Sequence, residues 1–433
     1  MPNYSNRYSE SEKFFQKAVE RIPLASQTFS KSITQYPYGA APLFIDKAKG
    51  SVAIDIDGNR FIDLVASLGA ITIGYADRGQ NKAIKKQLRK GSIFSLPSTI
   101  EYEVAELISE IIPSAEKVRF AKNGTDATSG AIRLARAYTG KNNIIACGYH
   151  GWQDWYVAGT SKNLGVPNVF TSLIHNVPYG KLETLIDVYD STKGDVAAVI
   201  IEPFSNNYPI GEYLKELRHF CSSKGIVLIF DETVTGFRVS TGGAQELVGV
   251  VPDVSCFGKG IANGYPLAAL VGKKEIMDLM SQVFLSGTFG GDTIALAAAK
   301  YTIQRYTKDG IAELLGEKGR LFQVQLNDLL SKDAKMLFSL TGHPSWLFHK
   351  WDLPDGTDLD LVKTYFLQEI LKRGVMAISS LNVMYSLSKK QIEICTAVYS
   401  EVLNQIAINL DNSWFERHLE SAPIRPLFRI RNT

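Results

Sequence analysis

Cysteine is scarce in this sequence, whose 433 residues include only Cys147, Cys221, Cys256 and Cys395. None of the four belongs to a CxxC pair, and none lies in a cluster with the spacing of metal ligands. This pattern argues against a disulfide framework of the secreted type and against a zinc-binding module, and we expect no metal site. We predict that the four residues are buried thiols of a protein from a reducing compartment.

Long apolar runs and a dominant charge are also absent. The first residues, MPNYSNRYSESEKFF, contain no apolar secretory segment, and no stretch approaches the roughly 20 apolar residues that span a bilayer. The 47 basic and 44 acidic residues leave a formal net charge of +3 and are spread along the chain. This distribution argues against a nucleic acid or an anionic membrane as partner. We therefore expect a soluble, cytoplasmic protein whose partners are small molecules.

The length and the composition suit a large globular protein with two lobes. Hydrophobic residues make up 45% of the chain, which is enough for a sizeable core. The apolar runs 196–201 and 226–230 are typical of strands buried on both faces of a parallel sheet, as in an α/β fold. Because no linker or repeat marks a boundary, the lobes are assigned from changes of pattern. We expect residues 1–70 to join residues 312–433 in a small domain, and residues 71–311 to form a large one.

Two residues in the stretch Gly225 to Gly272 carry the strongest chemical signal. Asp231 follows the apolar run 226–230 and is expected at the edge of the sheet where open α/β proteins bind ligands. Lys259 lies between two glycines after a short apolar run, a setting that allows partial burial. Burial lowers the pKa of a lysine, and a neutral amine can form an imine with a carbonyl cofactor.

The same stretch contains four short motifs in a fixed order: Asp231-Glu232, Thr235-Gly236-Phe237-Arg238, Pro252-Asp253 and Gly258-Lys259. In these motifs it resembles the core of the class III pyridoxal-phosphate-dependent aminotransferases, and most of all the branch that contains glutamate semialdehyde aminomutase. The resemblance covers roughly residues 25–410 and implies a fold type I enzyme, with a mostly parallel central sheet in a large domain and a smaller α/β domain.

The resemblance implies pyridoxal 5'-phosphate as cofactor and gives roles to the site residues. Lys259 would hold the cofactor as an imine and then move the proton during catalysis, while Asp231 would keep the pyridine nitrogen protonated. Asn123-Gly124-Thr125-Asp126 precedes a helical pattern, and a glycine-hydroxyl pair at a helix N-terminus suits either a phosphate or an ordinary cap. The family pattern favours the phosphate, so Gly124 and Thr125 are assigned to it.

Further residues follow from the same resemblance. Tyr149 would stack on the pyridine ring, and Glu202 would support the cofactor pocket through hydrogen bonds unless it forms a structural ion pair. Thr288 would reach the phosphate of a neighbouring subunit, which implies a homodimer. His150 is interpreted as a structural histidine rather than a ligand, with both readings open. The segment 159–167 resembles a mobile loop that covers the site, and an inert surface loop is the alternative.

The resemblance implies an enzyme, a transaminase that moves an amino group from an amino-acid donor to a keto or aldehyde acceptor. The alternative is an aminomutase, which moves the group within one molecule. That branch carries a glutamate in the stretch that corresponds to residues 379–383, and none is present here, which favours the transaminase. A cofactor-binding protein without turnover is a third possibility, but it would have no chemical need for Lys259.

The sequence allows two roles for each of two further groups of residues. Four tryptophans are compatible with the apolar walls of a pocket for a sugar-type acceptor or with core packing: Trp152, Trp155, Trp346 and Trp351. Three arginines near the C-terminus could bind an anion but are predicted to be solvated or packed on the small lobe: Arg425, Arg429 and Arg431.

Overall fold

The computed structural model describes residues 7–204 and 211–425, which divide into two compact units. The central unit contains residues 78–204 and 211–313, and the terminal unit contains residues 7–77 and 314–425. Arg429 and Arg431 lie outside the described residues, whereas Arg425 pairs with the carboxylates of Asp358 and Asp360.

Strands and helices alternate along much of the described chain. The strands are β1 Ile45–Lys49, β2 Val52–Asp55, β3 Arg60–Asp63, β4 Lys117–Ala121, β5 Asn143–Cys147, β6 Ile174–Asn176, β7 Val196–Ile201, β8 Val227–Glu232, β9 Val254–Phe257, β10 Ala268–Gly272, β11 Phe338–His343, β12 Trp346–Trp351, β13 Val375–Met376 and β14 Ser380–Asn382. The helices are α1 Ser9–Val19, α2 Ala66–Gly69, α3 Arg78–Leu88, α4 Thr99–Ile111, α5 Gly124–Thr139, α6 Asp154–Val157, α7 Asn168–Thr171, α8 Leu182–Ser191, α9 Gly211–Lys224, α10 Ala244–Val248, α11 Lys274–Met277, α12 Thr293–Asp309, α13 Ile311–Leu329, α14 Lys332–Leu337, α15 Leu359–Lys372, α16 Lys389–Ile408 and α17 Asn412–His418.

A seven-stranded sheet with the order β4-β10-β9-β8-β7-β5-β6 forms the core of the central unit. Strands β9, β8, β7, β5 and β6 run parallel, and β10 is antiparallel to both of its neighbours. Every residue of β5, β7, β8, β9 and β10 is buried, which explains the continuous apolar runs in the sequence. The mostly parallel sheet expected from the sequence is therefore confirmed.

Apolar layers cover both faces of this sheet, because successive residues of a strand point to opposite sides. On β7, Ala198 and Ile200 pack into the layer that contains the apolar face of α5. Val199 and Ile201 pack into the other layer, together with the buried face of α9. The parallel strands thus end at one edge of a sheet that is covered by helices on both sides.

The terminal unit contains two smaller sheets. The alternation of apolar residues in 52–57 before Asp57-Gly58 predicts an antiparallel hairpin. This prediction is confirmed, since β2 and β3 pair antiparallel around Gly58, whose φ of +85° favours a glycine. Strand β13 adds to β3 in parallel, with Val375 opposite Ile62, so both ends of the chain contribute to the sheet β1-β2-β3-β13. Strands β11, β12 and β14 form an antiparallel sheet of their own.

The four cysteines are free and buried, as predicted. Burial raises the pKa of the Cys147, Cys221 and Cys395 thiols to about 12, which makes them poor nucleophiles. Within residues 7–204 and 211–425, no helix combines the length and the apolar character needed to cross a bilayer.

Candidate active site

Asp231 lies at the end of strand β8, one residue before the last, as the sequence indicated. Strand β8 pairs with β9 at this point, which sets Asp231 opposite Cys256. The Asp231 side chain is almost fully buried, with a relative exposure of 5% for the residue. Its Oδ1 atom accepts a hydrogen bond from the backbone N–H of Thr233 at 3.1 Å, which fixes the carboxylate at the edge of the sheet.

The second oxygen of Asp231 faces a histidine. His150 Nδ1 lies 3.0 Å from Asp231 Oδ2, and His150 Nε2 lies 3.1 Å from the backbone oxygen of Cys147. The loop that carries His150 leaves β5 through Gly148, whose φ of +107° is rarely adopted by other residues. Both ring nitrogens of His150 therefore have a hydrogen-bonding partner, and one of these partners is the carboxylate that is predicted to bind the cofactor.

Glu202 follows strand β7 and reaches the same loop. Its Oε2 atom accepts a hydrogen bond from the backbone N–H of Tyr149 at 3.0 Å. Burial raises the pKa of the Glu202 carboxyl, while the charge of His150 opposes that rise. The Tyr149 ring packs edge-on against Tyr156 with the ring centroids 5.6 Å apart, and the residue is 48% exposed.

The N-terminus of α5 lies against this loop. The Thr125 hydroxyl accepts a hydrogen bond from the backbone N–H of Trp152 at 3.3 Å, and the Thr128 hydroxyl donates to the backbone oxygen of His150 at 2.9 Å. The first N–H groups of a helix have no partner within the helix and, together with the helix dipole, favour an anion. A Cβ carbon at Gly124 would lie 2.9 Å from the Thr233 side chain, so a larger residue here would require Thr233 to move.

Lys259 opens a 3-10 turn, Lys259–Ala262, directly after β9. Its φ of +43° lies in the left-handed region, which is strained for a residue with a side chain. The turn is held by Gln80, whose amide donates to the Ala262 oxygen at 2.9 Å, and by Tyr306, whose hydroxyl donates to the Gly260 oxygen at 2.7 Å. The surrounding structure thus stabilises an unfavourable backbone conformation at Lys259.

Burial lowers the pKa of the Lys259 amine, and the negative charges of Glu202 and Asp231 counteract this effect. The charge of Arg238 lowers the pKa further. Arg238 belongs to the Thr-Gly-Phe-Arg motif and is fully buried, and burial lowers its own pKa to about 10. The sequence contained this motif, but nothing in it indicated that the arginine acts on the lysine.

The structure brings Asp231, Glu202 and the segment 148–152 into direct contact, and it connects that segment to the start of α5. Thr288 lies in an exposed turn, and the described residues contain no hydrogen bond between it and this cluster. The segment 159–167 is exposed at its centre, where Leu164 is fully accessible. Roles for Thr288 and for this loop stay predictions.

Comparison with known proteins gives the family. The profile of the family described as aminotransferase class-III matches residues 34–403. The chain belongs to the class III aminotransferases. It is 36% identical over 377 residues to a 3-aminobutyryl-CoA aminotransferase of Cloacimonas acidaminovorans, a match that covers 85% of this chain and 90% of the relative. This class III enzyme therefore uses pyridoxal phosphate, and transaminases of its family act on amino donors and carbonyl acceptors.

The class III aminotransferase is also similar to a second curated relative and to a solved structure. A glutamate-1-semialdehyde 2,1-aminomutase of Thermodesulfovibrio yellowstonii is 38% identical over 339 residues, 74% of this chain and 79% of the relative. The structure of the FumI protein of Sphingopyxis sp. MTA144, in its PLP internal aldimine form, superposes with a TM-score of 0.86 at 25% identity and covers 96% of this chain and 99% of that chain. The fold is that of the fold type I PLP transaminases.

The residues of the aminotransferase fit pyridoxal phosphate. A buried carboxylate suits the ring nitrogen of this cofactor, an amine with a lowered pKa suits its aldehyde, and a helix N-terminus suits its phosphate. A cavity of about 400 Å³ lies elsewhere, within the terminal unit, and none of the predicted site residues lines it. Its buried carboxylate, Asp63, already accepts hydrogen bonds from Tyr75 and from the backbone of Val65 and Ala66.

Proposed function

We propose that this class III aminotransferase moves an amino group between two molecules, from an amino-acid donor to a keto or aldehyde acceptor. The observation that carries the proposal is the chemistry of residues 379–383, where the aminomutase branch is expected to have a glutamate. Here Ser380, Leu381 and Asn382 form strand β14 and are buried, and the Asn382 amide donates to the Val65 oxygen at 3.0 Å. This stretch therefore offers no carboxylate for an intramolecular transfer.

The proposed roles of the site residues follow from their contacts. Gly124 and Thr125 would bind the cofactor phosphate at the N-terminus of α5, and Asp231 would bind the ring nitrogen. Tyr149 would cover one face of the ring. Glu202 would support the pocket through its bond to the Tyr149 backbone.

Pyridoxal phosphate, when bound, supplies an electron-accepting ring that stabilises negative charge on the substrate carbon that carries the amine. Lys259 would hold the cofactor through Nζ, and its amine would move a proton to and from that carbon. Only a neutral amine can accept this proton, and the lowered pKa of Lys259 increases the neutral fraction near pH 7. Asp231, positioned by the hydrogen bond from the Thr233 N–H, would accept a hydrogen bond from the protonated ring nitrogen.

The acceptor class is the open part of the proposal, and a sugar-type carbonyl compound is one candidate. Trp155 packs in the core and donates from Nε1 to Ser129 at 2.9 Å, and Trp351 packs against Phe338. These two tryptophans are therefore structural. Trp152 is 68% exposed and is the tryptophan of the central unit with a surface that could contact a sugar.

A homodimer is a second element of the proposal, and the position of Thr288 supports it. Thr288 lies exposed, with Phe289, in the turn before α12. A partner subunit would cover this turn and could receive the threonine hydroxyl at its own cofactor phosphate. The mass of the holoenzyme in solution tests this element independently of catalysis.

The deciding experiment supplies the holoenzyme with one substrate at a time. L-Glutamate alone is expected to release close to one 2-oxoglutarate per active site, and turnover should begin only when a keto or aldehyde acceptor is added. Glutamate 1-semialdehyde is the matched probe for the alternative. Its isomerisation, with the amino group moved to carbon 1 and without any oxo acid released from L-glutamate, would establish an aminomutase and overturn the proposal.

A further inference from the structure

The segment 284–292 leads into α12 and carries Thr288 at its centre. Residues 286–289 are all exposed, and Phe284 at the start of the segment is 80% exposed. An exposed turn presents a side chain at a defined place only when a rigid scaffold holds its ends. The contacts at the two ends of the segment therefore decide how precisely Thr288 is placed.

The first end of the segment is bound by two arginines of the central unit. Arg119 of β4 donates from Nη2 to the Leu285 oxygen at 2.8 Å, and Arg133 of α5 donates from Nη1 to the Phe284 oxygen at 2.5 Å. Both arginines are exposed, so water competes with them for these two carbonyl groups. The first end is thus attached to β4 and α5, but by contacts of modest strength.

The second end is held by an ion pair between Lys122 and Asp292. Lys122 Nζ lies 2.7 Å from Asp292 Oδ2, and the two side chains are only 23% and 22% exposed. Partial burial makes such a pair stronger than one on the open surface. Asp292 Oδ1 accepts hydrogen bonds from the backbone N–H groups of Ile294 at 2.9 Å and Ala295 at 3.4 Å, which caps α12. One carboxylate oxygen therefore holds the helix, and the other holds Lys122.

Lys122 connects this end of the segment to the start of α5. It directly precedes Asn123, the N-cap residue of α5, and the backbone N–H groups of both residues donate to Asp126 Oδ2 at 3.3 and 2.8 Å. The turn itself also packs against the end of β4, because a Cβ carbon on Gly290 would lie 3.3 Å from the Phe120 oxygen. The turn and the start of α5 are thus attached to each other through one short stretch of chain.

We propose that Lys122 and Asp292 are positioning residues that place Thr288 for the cofactor phosphate of the partner subunit. The Lys122 amine is engaged by Asp292, so it acts through the position of the turn rather than by touching a phosphate. In a homodimer the ion pair would connect two phosphate sites, the one that begins at Gly124 and the one that receives Thr288. This assignment rests on the proposed role of Thr288, and it extends that role by naming the contact that sets the position of its hydroxyl.

Titration of the full-length protein with pyridoxal phosphate and, separately, with pyridoxal tests the assignment. Lys122→Gln and Asp292→Asn each remove the ion pair, and the asparagine retains a cap for α12. We expect each variant to bind pyridoxal phosphate about tenfold more weakly and pyridoxal within about twofold of the wild type, because Thr288 would contact only the phosphate. Lys117→Gln, which breaks an exposed ion pair of the same strand with Asp278, is the matched control and should keep both affinities.

A double-mutant cycle separates this role from a direct effect of the Lys122 charge on the phosphate. Thr288→Ala should weaken the binding of pyridoxal phosphate by about tenfold. Adding Lys122→Gln to Thr288→Ala should cost less than about twofold more, because both changes act through the same contact. Losses that multiply to about a hundredfold would mean that Lys122 acts on the phosphate by itself, and they would overturn the proposal.

Three other results would also overturn it. The first is wild-type affinity for pyridoxal phosphate in both Lys122→Gln and Asp292→Asn. The second is an equal loss for pyridoxal phosphate and pyridoxal together with a lowered unfolding midpoint, which would mean that the pair only stabilises the fold. The third is an unchanged affinity in Thr288→Ala, which would remove the role of Thr288 and this proposal with it. The release of oxo acid from L-glutamate would still decide the transfer reaction separately.

Discussion

Gly148 and Glu202 face each other so closely that a Cβ carbon on residue 148 would lie 2.5 Å from Glu202 Oε2. The carboxylate occupies the space that a side chain at position 148 would need. In this position Glu202 accepts the hydrogen bond from the Tyr149 backbone. The glycine is thus part of the arrangement that connects strand β7 to the loop carrying Tyr149 and His150.

Gly148→Ala is expected to weaken cofactor binding, because the new methyl group would displace Glu202 from the Tyr149 backbone. The backbone strain at positive φ adds about 1–2 kcal/mol of destabilisation. Gly225→Ala is the matched control, since Gly225 has a φ of +62° and nothing within 4 Å of the added carbon. Cofactor titration should give a loss of about tenfold for Gly148→Ala only. Equal affinities in the two variants would contradict this interpretation.

Asp253 of the Pro-Asp motif connects three elements of the central unit. Its carboxylate lies 2.8 Å from Arg218 Nη1 and 2.7 Å from Lys273 Nζ, and it accepts from the Leu228 backbone at 2.8 Å. Burial alone would raise the pKa of Asp253, but the bonds from Lys273 and from the Leu228 backbone, with the Arg218 charge, lower it. The motif thus has a structural function here.

We therefore expect Asp253→Asn to lower the free energy of unfolding by about 1–3 kcal/mol at pH 7. Because the pKa is lower in the folded state, this contribution is present above the unfolded pKa of about 4 and disappears as the pH falls through the folded value. Urea unfolding at pH 7 and at low pH measures both effects. Asp352→Asn, in an exposed pair with Lys350, should change little. A difference from the wild type that grows with acid would contradict the assignment.

Glu202→Gln should move the pH dependence of the donor half-reaction to lower pH. The negative charge of Glu202 raises the pKa of Lys259, so its removal lowers that pKa and makes the neutral amine available in more acidic solution. Oxo acid release followed from pH 6 to pH 10 measures the shift. Glu212→Gln, on the exposed side of α9, is the control. A shift to higher pH would show that Glu202 does not act on the lysine through its charge.

Strand positions in the central unit could be predicted closely because burial on both faces produces uninterrupted apolar runs. The expected strand at 196–201 coincides with β7, and the apolar run 226–230 overlaps β8, Val227–Glu232. The buried face of the hairpin was harder to predict. The alternation of apolar and other residues indicated strands but did not show which side of them is buried. Ala53 and Asp55 are buried in β2, whereas Val52 and Ile54 are only partly covered. The faces that become buried depend on tertiary packing, which alternation alone does not encode.

The candidate active site also contains features that the sequence predicts and features that only the structure shows. Asp231 and Lys259 could be found from local sequence, because a strand end and a glycine-flanked lysine are signals within a few residues. The contact between His150 and Asp231 joins residues 81 positions apart and depends on a loop fixed by the Cys147 carbonyl. The effect of Arg238 on Lys259 depends on complete burial of the arginine. Neither relationship leaves a local pattern, so the three-dimensional structure was needed to find them.

The sharpest prediction concerns Lys259. Lys259→Ala and Lys259→Arg should both reduce turnover by at least about 10³-fold, because neither provides a neutral amine to hold the cofactor or move the proton. Neither variant should lose the α5 phosphate site, so both should still bind pyridoxal phosphate, although more weakly. Lys215→Ala on the exposed surface of α9 is the control and should keep wild-type rates. Turnover in Lys259→Arg within tenfold of the wild type would exclude the lysine as the proton carrier, since a guanidinium stays charged at every pH in the assay.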